Sequence, residues 1–197
     1  MSEETSSEAR VLVATERVVD ILAREGTDSA LIGAVALAVY RYPRSTEDVD
    51  LAVGVAPQRL GELALVLERE GFSTSVSAPD ATDPLGGVVR VQVPEGGRVE
   101  IVNFCNPPGG GFPALIEVAL RESRPVLAGA RLRVVTLPHL VLFKLYAGGV
   151  KSKNDVLELL GRNPEVNVNE LRDACRPFRL ERQLEAWLRD LQRPDEG

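Results

Sequence analysis

Ala30-Leu31-Ile32-Gly33-Ala34-Val35-Ala36-Leu37-Ala38-Val39-Tyr40, followed after a basic loop by Asp48-Val49-Asp50-Leu51-Ala52-Val53, is the stretch on which the rest of the chain is built. Val49, Leu51 and Val53 alternate with Asp48, Asp50 and Ala52, the period of a strand with one face in the core. Both carboxylates therefore leave on the same face. Two ionised carboxylates about 6 Å apart repel by about 3 kcal/mol at an effective dielectric of about 20, so the pair is unfavourable unless a cation sits between. A divalent metal is the simplest such cation, and Mg²⁺ binds through one or two carboxylates plus substrate phosphates.

The residues upstream supply the other half of a phosphate site. Ala30-Leu31-Ile32 reads as a buried strand and Gly33-Ala34 as a tight turn. Val35 to Tyr40 is apolar on every side, which predicts a short buried helix starting at that turn. Free backbone N–H groups at such a start attract anions, and Gly33 lets a phosphate approach closely.

These residues carry a resemblance. Leu31-Ile32-Gly33-Ala34, a spacer and Asp48-Val49-Asp50-Leu51 resemble the nucleotidyltransferase superfamily, whose pattern is an apolar residue, Gly, Gly or Ser, a spacer, and two carboxylates flanking an apolar residue. Leu31 to Ala38 together with Pro43-Arg44-Ser45-Thr46-Glu47-Asp48 is similar to the AbiEii-type branch, which includes toxins of bacterial toxin–antitoxin systems. Downstream, Leu137-Pro138-His139-Leu140, Lys144-Leu145-Tyr146-Ala147-Gly148 and Asp155 resemble the Lys-containing helix and the following Asp helix of that branch. Two positions depart from it. Ala34 replaces the usual Gly or Ser, removing a hydroxyl from the phosphates while keeping the amide. Ser152 stands where close relatives often carry Asp, one residue after Lys151.

The resemblance implies an α/β nucleotidyltransferase fold, a mixed β-sheet flanked by helices with a helical C-terminal part. It implies Mg²⁺-dependent transfer of a nucleoside monophosphate from an NTP to a hydroxyl, with one or two ions. Asp48, Asp50 and Glu100 would be the metal-holding catalytic carboxylates, Gly33 and the Ala34 amide the phosphate cradle, and Arg44 and Lys144 nucleotide contacts. RNA, in particular the tRNA 3′ end, is the acceptor implied by the toxin-containing branch, and a cognate antitoxin a partner. A non-catalytic nucleotide- or partner-binding protein and an enzyme modifying an antibiotic-type small molecule are the alternatives.

The residues themselves leave some of these roles open. In Arg98 to Phe104, Val99 and Ile101 oppose Glu100, which must face solvent or meet a cation. Lys144 lies in an apolar turn, so its ammonium snorkels out or finds an anion. Arg44 either clamps a triphosphate or balances Asp48. Tyr40, Arg41 and Tyr42 read as a helix end, and His139 as a cap-region residue behind Pro138.

The remaining sequence divides into an expected core over 1–136, with 1–8 frayed, and a C-terminal helical region over 137–197. Helices are expected over Ala9–Glu25, Pro57–Glu70, Ala114–Glu122, Pro138–Tyr146, Asn154–Leu160, Glu170–Cys175 and Leu180–Leu191. Strands are expected over Phe72–Ser77, Val88–Val93, Arg98–Phe104 and Ala130–Val135, with a hairpin turn at Pro94–Gly97 and a loop at Cys105–Phe112 as a mobile rim. A net charge of −6 excludes a basic coat for unspecific nucleic-acid binding, though not a local patch of Arg44, Lys144, Lys151 and Lys153. Aromatic residues at 5% leave little material for base stacking. Cys105 and Cys175 have neither zinc nor redox spacing. The lack of a spanning apolar run and of an apolar leader predicts a cytoplasmic protein with no membrane partner.

Overall fold

The computed structural model describes the backbone of residues 2–79, 85–94, 97–106 and 113–191, and their side chains between 10 and 190. The expected turn at 94–97 lies partly outside these residues, and the expected rim loop at 105–112 mostly outside them.

The elements run α1 (Ser2–Arg24), β1 (Ala30–Ile32), α2 (Gly33–Val39), β2 (Asp48–Val53), α3 (Pro57–Arg69), β3 (Ser73–Ser77), β4 (Val88–Gln92) and β5 (Arg98–Asn103). They continue through α4 (Pro113–Glu122), β6 (Arg124–Pro125), β7 (Arg133–Val134), α5 (Leu137–Ala147), α6 (Gly149–Arg162), α7 (Val168–Cys175) and α8 (Glu181–Leu191). The strands form one mixed sheet in the order β3-β4-β5-β2-β1-β7-β6. β2 pairs with β5 in parallel and β1 with β7 in parallel, while the other neighbours are antiparallel.

Alternation in the strands sets which face is covered. Val49, Leu51 and Val53 of β2, Val99 and Ile101 of β5, and Val89 and Val91 of β4 are each 3% exposed or less. Helices α1 and α3 pack on this side of the central strands. Pro57 opens α3 at a position whose amide needs no partner, and Leu60, Leu63, Ala64 and Leu67 form its buried stripe. Each of the three leucines contributes about 1.5–3 kcal/mol by leaving water. Helix α5 has no polar face: Leu140, Val141, Leu142, Phe143 and Leu145 are all buried, and the Phe143 ring lies 4.5 Å from that of Phe104.

Three elements differ from the sequence reading. β7 has two residues, not six, and pairs with a two-residue β6 that no alternation announces. Helix α6 starts at Gly149, five residues before the apolar spacing begins. Likewise α1 extends back to Ser2, ahead of the first periodic residue. The added turns of α1 and α6 carry few apolar side chains, so periodicity has nothing to report there, whereas Leu132 and Val135 beside β7 are buried without extending its ladder.

Candidate active site

The parallel register of β2 and β5 creates the site. It sets Asp48 opposite Arg98 and Asp50 opposite Glu100, and the antiparallel β4 sets Arg90 opposite Glu100. Directly paired residues share a face, as do residues two apart on a strand. Asp48, Asp50, Glu100, Arg98 and Arg90 therefore all stand on the face turned away from the α1–α3 core.

A cation does meet this face, Arg98, but it bridges Asp48 and Glu100 rather than Asp48 and Asp50. Its Nη2 donates to Asp48 Oδ2 at 2.8 Å, and its Nε lies 3.3 Å from Glu100 Oε1. Arg90 Nε donates to the same Glu100 oxygen at 3.0 Å. Glu100 thus meets cations, the second of its two open readings. Arg98 Nε is buried yet makes no well-aligned hydrogen bond, so charge rather than fit holds it over Glu100. Sequence reasoning missed Arg98. Its signal was its place two residues before Glu100, but the strand opposite could not be read from the sequence.

Asp50 makes no ion pair among the described residues. Burial first, then the charges of Glu100 and Asp48, push its carboxyl up to about 6, against the weaker pull of Lys144 and Lys151. Gly33 packs directly on it. A Cβ at Gly33 would overlap Asp50 Oδ2 and lie 2.7 Å from Asp50 Cγ, and the backbone there has φ of +65°. Gly33 is thus required twice, for its left-handed backbone and for the space the carboxylate takes. Gly33→Ala should destabilise the protein by about 2–4 kcal/mol in urea unfolding, the sum of backbone strain and overpacking. A loss below about 1 kcal/mol would mean that Asp50 simply swings away.

The two cations expected to contact the nucleotide are gathered by a third residue. Asp155 on α6, whose side chain is 2% exposed, accepts from Arg44 Nη1 at 2.6 Å and from Lys144 Nζ at 2.7 Å. Lys144 has found its anion within the chain, and Arg44 does not balance Asp48, which Arg98 does. The four-residue basic patch does not assemble as expected. Lys153 pairs with Asp190 of α8, Arg44 and Lys144 share Asp155, and Lys151 is exposed and acts on Asp50 through its field.

Other singled-out residues take structural places. Tyr40 caps α2 and donates its hydroxyl to Val135 O at 2.7 Å. His139 is buried, lies 2.7 Å from Thr136 Oγ1 at the start of α5, and has its pKa lowered by that burial. Cys175 is fully buried, which pushes its thiol up to about 12.

An open cavity of about 830 Å³ adjoins the carboxylates at the start of β2. Leu12, Ala34, Val35 and Ala38 give it an apolar wall, and Arg44 and Asp48 a polar one. Asp50, Glu100 and Lys144 do not line it. Helix α2, whose amides open beside it, has no side-chain cap at its start.

Whether these residues suit Mg²⁺ turns on where their oxygens point. Among the described residues, no three His, Cys, Asp or Glu side chains gather as a metal-binding group. Oxygens of Asp48 and Glu100 are turned to Arg98 and Arg90 instead. Asp48 and Asp50 still fit the ion, because Mg²⁺ needs only one or two carboxylates with phosphate and water oxygens. Arg98 is 43% exposed at its side chain, and an ion pair so open to water is worth only about 1 kcal/mol, little against a divalent charge.

No family model matches the sequence, and no curated protein matches it. Solved structures do. The solution structure of the antibiotic-resistance factor ANT(2'')-Ia is similar over 94% of this chain and 96% of its own, at 14% identity and a TM-score of 0.53. Its crystal structure in complex with adenylyl-2''-tobramycin gives a TM-score of 0.54 at 15% identity, over 87% of this chain and 97% of that one. An antigenic nucleotidyltransferase-like protein from Paracoccidioides brasiliensis is similar over 92% and 93% of the two chains, at 14% identity and a TM-score of 0.52. Identities this low carry the fold and no more, and the fold they give this chain is that of the nucleotidyltransferases.

Proposed function

We propose that the protein is a metal-dependent nucleotidyltransferase that moves a nucleoside monophosphate from an NTP to a hydroxyl acceptor and releases pyrophosphate. One observation carries this reading: Asp48 and Asp50 share a face with Glu100 in the parallel register, with Gly33 and the uncapped start of α2 folded over Asp50. Asp48 and Asp50 would hold the ion, with Glu100 joining once Arg90 and Arg98 release it. The bound ion would offset the charge that develops on the polyphosphate during transfer. Gly33 and the Ala34 amide would cradle the β- and γ-phosphates. Arg44 donates to Asp155 through Nη1 and Lys144 through one N–H of its ammonium, and their remaining N–H groups would serve the nucleotide.

The acceptor we favour is a small hydroxyl-bearing molecule rather than RNA, with the AbiEii-type likeness as the case for RNA. Three of the four cations expected to hold a polyanion are paired within the chain. The cavity beside Asp48 is of small-molecule size and partly apolar. ANT(2'')-Ia, which shares the fold, is bound to adenylyl-2''-tobramycin in its crystal structure. Incubation with each α-labelled NTP and Mg²⁺, offered either total cellular RNA or aminoglycosides, separates the cases. Labelled aminoglycoside with pyrophosphate release is the expected result. Label on RNA alone would reverse the choice of acceptor. NTP bound without any transfer or pyrophosphate release would make this a binding protein.

A further inference from the structure

Arg98, which must release Glu100 in the reaction above, holds a place that says where it goes. Its guanidinium reaches Asp48 at 2.8 Å and Glu100 at 3.3 Å, lying between two of the three carboxylates. All three carboxylates, Asp50 included, act on it. Arg98 is held loosely for so central a group. Its side chain is 43% exposed, and its buried Nε finds no aligned acceptor. A half-exposed cation that is well hydrogen-bonded to Asp48 alone, and meets Glu100 by charge without an aligned bond, is open to exchange for an ion that both carboxylates can ligate. Its chain neighbour Gly97 and its partner Asp48 both line the 830 Å³ cavity, so a guanidinium leaving Asp48 has that space beside it.

We infer that Arg98 is a built-in competitor of the divalent ion, holding Asp48 and Glu100 in the metal-free protein and turning toward the substrate polyphosphate when the ion takes its place. The inference rests on the metal reading of Asp48 and Asp50. It makes Arg98 a positioning residue with two opposite effects. Removing it should tighten metal binding in the absence of nucleotide, because the carboxylates lose their internal partner. The same change should weaken binding of polyphosphate to the metal-loaded protein, because a bidentate donor is lost.

Mn²⁺ binding followed by the loss of the free-ion electron paramagnetic resonance signal reads the first effect without any turnover. Arg98→Met is expected to bind Mn²⁺ about fivefold more tightly than the wild type, the scale of one partly exposed ion pair. In Arg98→Ala, methylguanidinium at sub-denaturing concentration should bring Mn²⁺ affinity back toward the wild-type value, which a purely structural role of Arg98 would not do. For the second effect, calorimetric titration of Mn²⁺-loaded protein with non-hydrolysable NTP analogues should show about fivefold weaker binding in Arg98→Met. Mn²⁺ binding that Asp50→Asn abolishes but Arg98→Met leaves unchanged or weakens overturns the inference and leaves the metal site standing. If wild type, Arg98→Met and Arg98→Ala all bind no Mn²⁺, the metal reading itself falls and takes the inference with it. Should Arg98→Met not fold, Arg98→Lys serves: it keeps the charge but not the fork, and tighter Mn²⁺ binding by a factor of about two is the supporting result, unchanged binding the opposing one.

Discussion

Asp50→Asn is expected to make the metal-free protein more stable at pH 8, by about 2–3 kcal/mol, while abolishing nucleotidyl transfer. The carboxyl of Asp50 is raised from 3.8 to about 6, with burial the largest cause and the charges of Glu100 and Asp48 next. A carboxyl whose folded value exceeds its unfolded one makes the folded state bind more protons between the two. Wild-type stability therefore falls as pH rises from about 4 to about 6, and above that window the folded protein carries the full penalty of an ionised, unpaired Asp50. Asparagine cannot ionise, so its advantage should be absent near pH 4 and complete by pH 7. Asp48→Asn should behave otherwise. Asp48 accepts the Arg98 bond at 2.8 Å, so its loss removes a favourable pair and should lower stability slightly. Thermal unfolding of both variants in EDTA, across pH 4 to 8, makes the comparison. An Asp50→Asn protein no more stable than wild type at pH 8 would falsify the description of Asp50 as the strained member of the pair.

That contrast marks where the sequence stops being informative. The period-two alternation of β2 shows that Asp48 and Asp50 share a face, and their mutual repulsion shows that a cation must be near. Neither says which cation. The answer depends on β5 lying parallel beside β2 with Arg98 opposite Asp48, a pairing between residues 50 apart that no local pattern encodes. The same holds for Gly33. Its turn is legible, but the reason for glycine, an Asp50 carboxylate against its Cα, comes from β1 pairing with β2. Long, strongly periodic elements such as α3 and β2 were legible almost to the residue, because burial of one face is what the pattern records. The two-residue β6, exposed throughout, and the polar first turn of α6 bury too little to leave a pattern, while β7 left one longer than its ladder because Leu132 and Val135 are buried outside it. Lys144 and Arg44 were each legible as cations in need of an anion. Their common partner was visible only as the Asp of a resembling helix, and the close pairing across the α2–β2 loop and α6 is a tertiary fact.

Asp155 should therefore be the residue outside the carboxylate face whose loss is felt most. Its side chain is 2% exposed and divides its two oxygens between Arg44 and Lys144, themselves 26% and 17% exposed. Removing the anion leaves two cations in low-dielectric surroundings, and breaking such a buried group costs about 3–5 kcal/mol. Because both partners keep some water, Asp155→Asn should lie at the lower end, a loss of about 3 kcal/mol in urea unfolding. NTP affinity should fall with it, since Arg44 and Lys144 would no longer be held side by side. Stability and binding can be separated. In the double variant Lys144→Met with Asp155→Leu, apolar groups replace the more buried charge pair and leave only Arg44, 26% exposed, to turn to water, so part of the lost stability should return. NTP affinity should stay low in that protein, because a phosphate contact is gone whatever the fold. Recovery of both together would show that Asp155 and Lys144 serve only the fold, and would remove Lys144 from the nucleotide site.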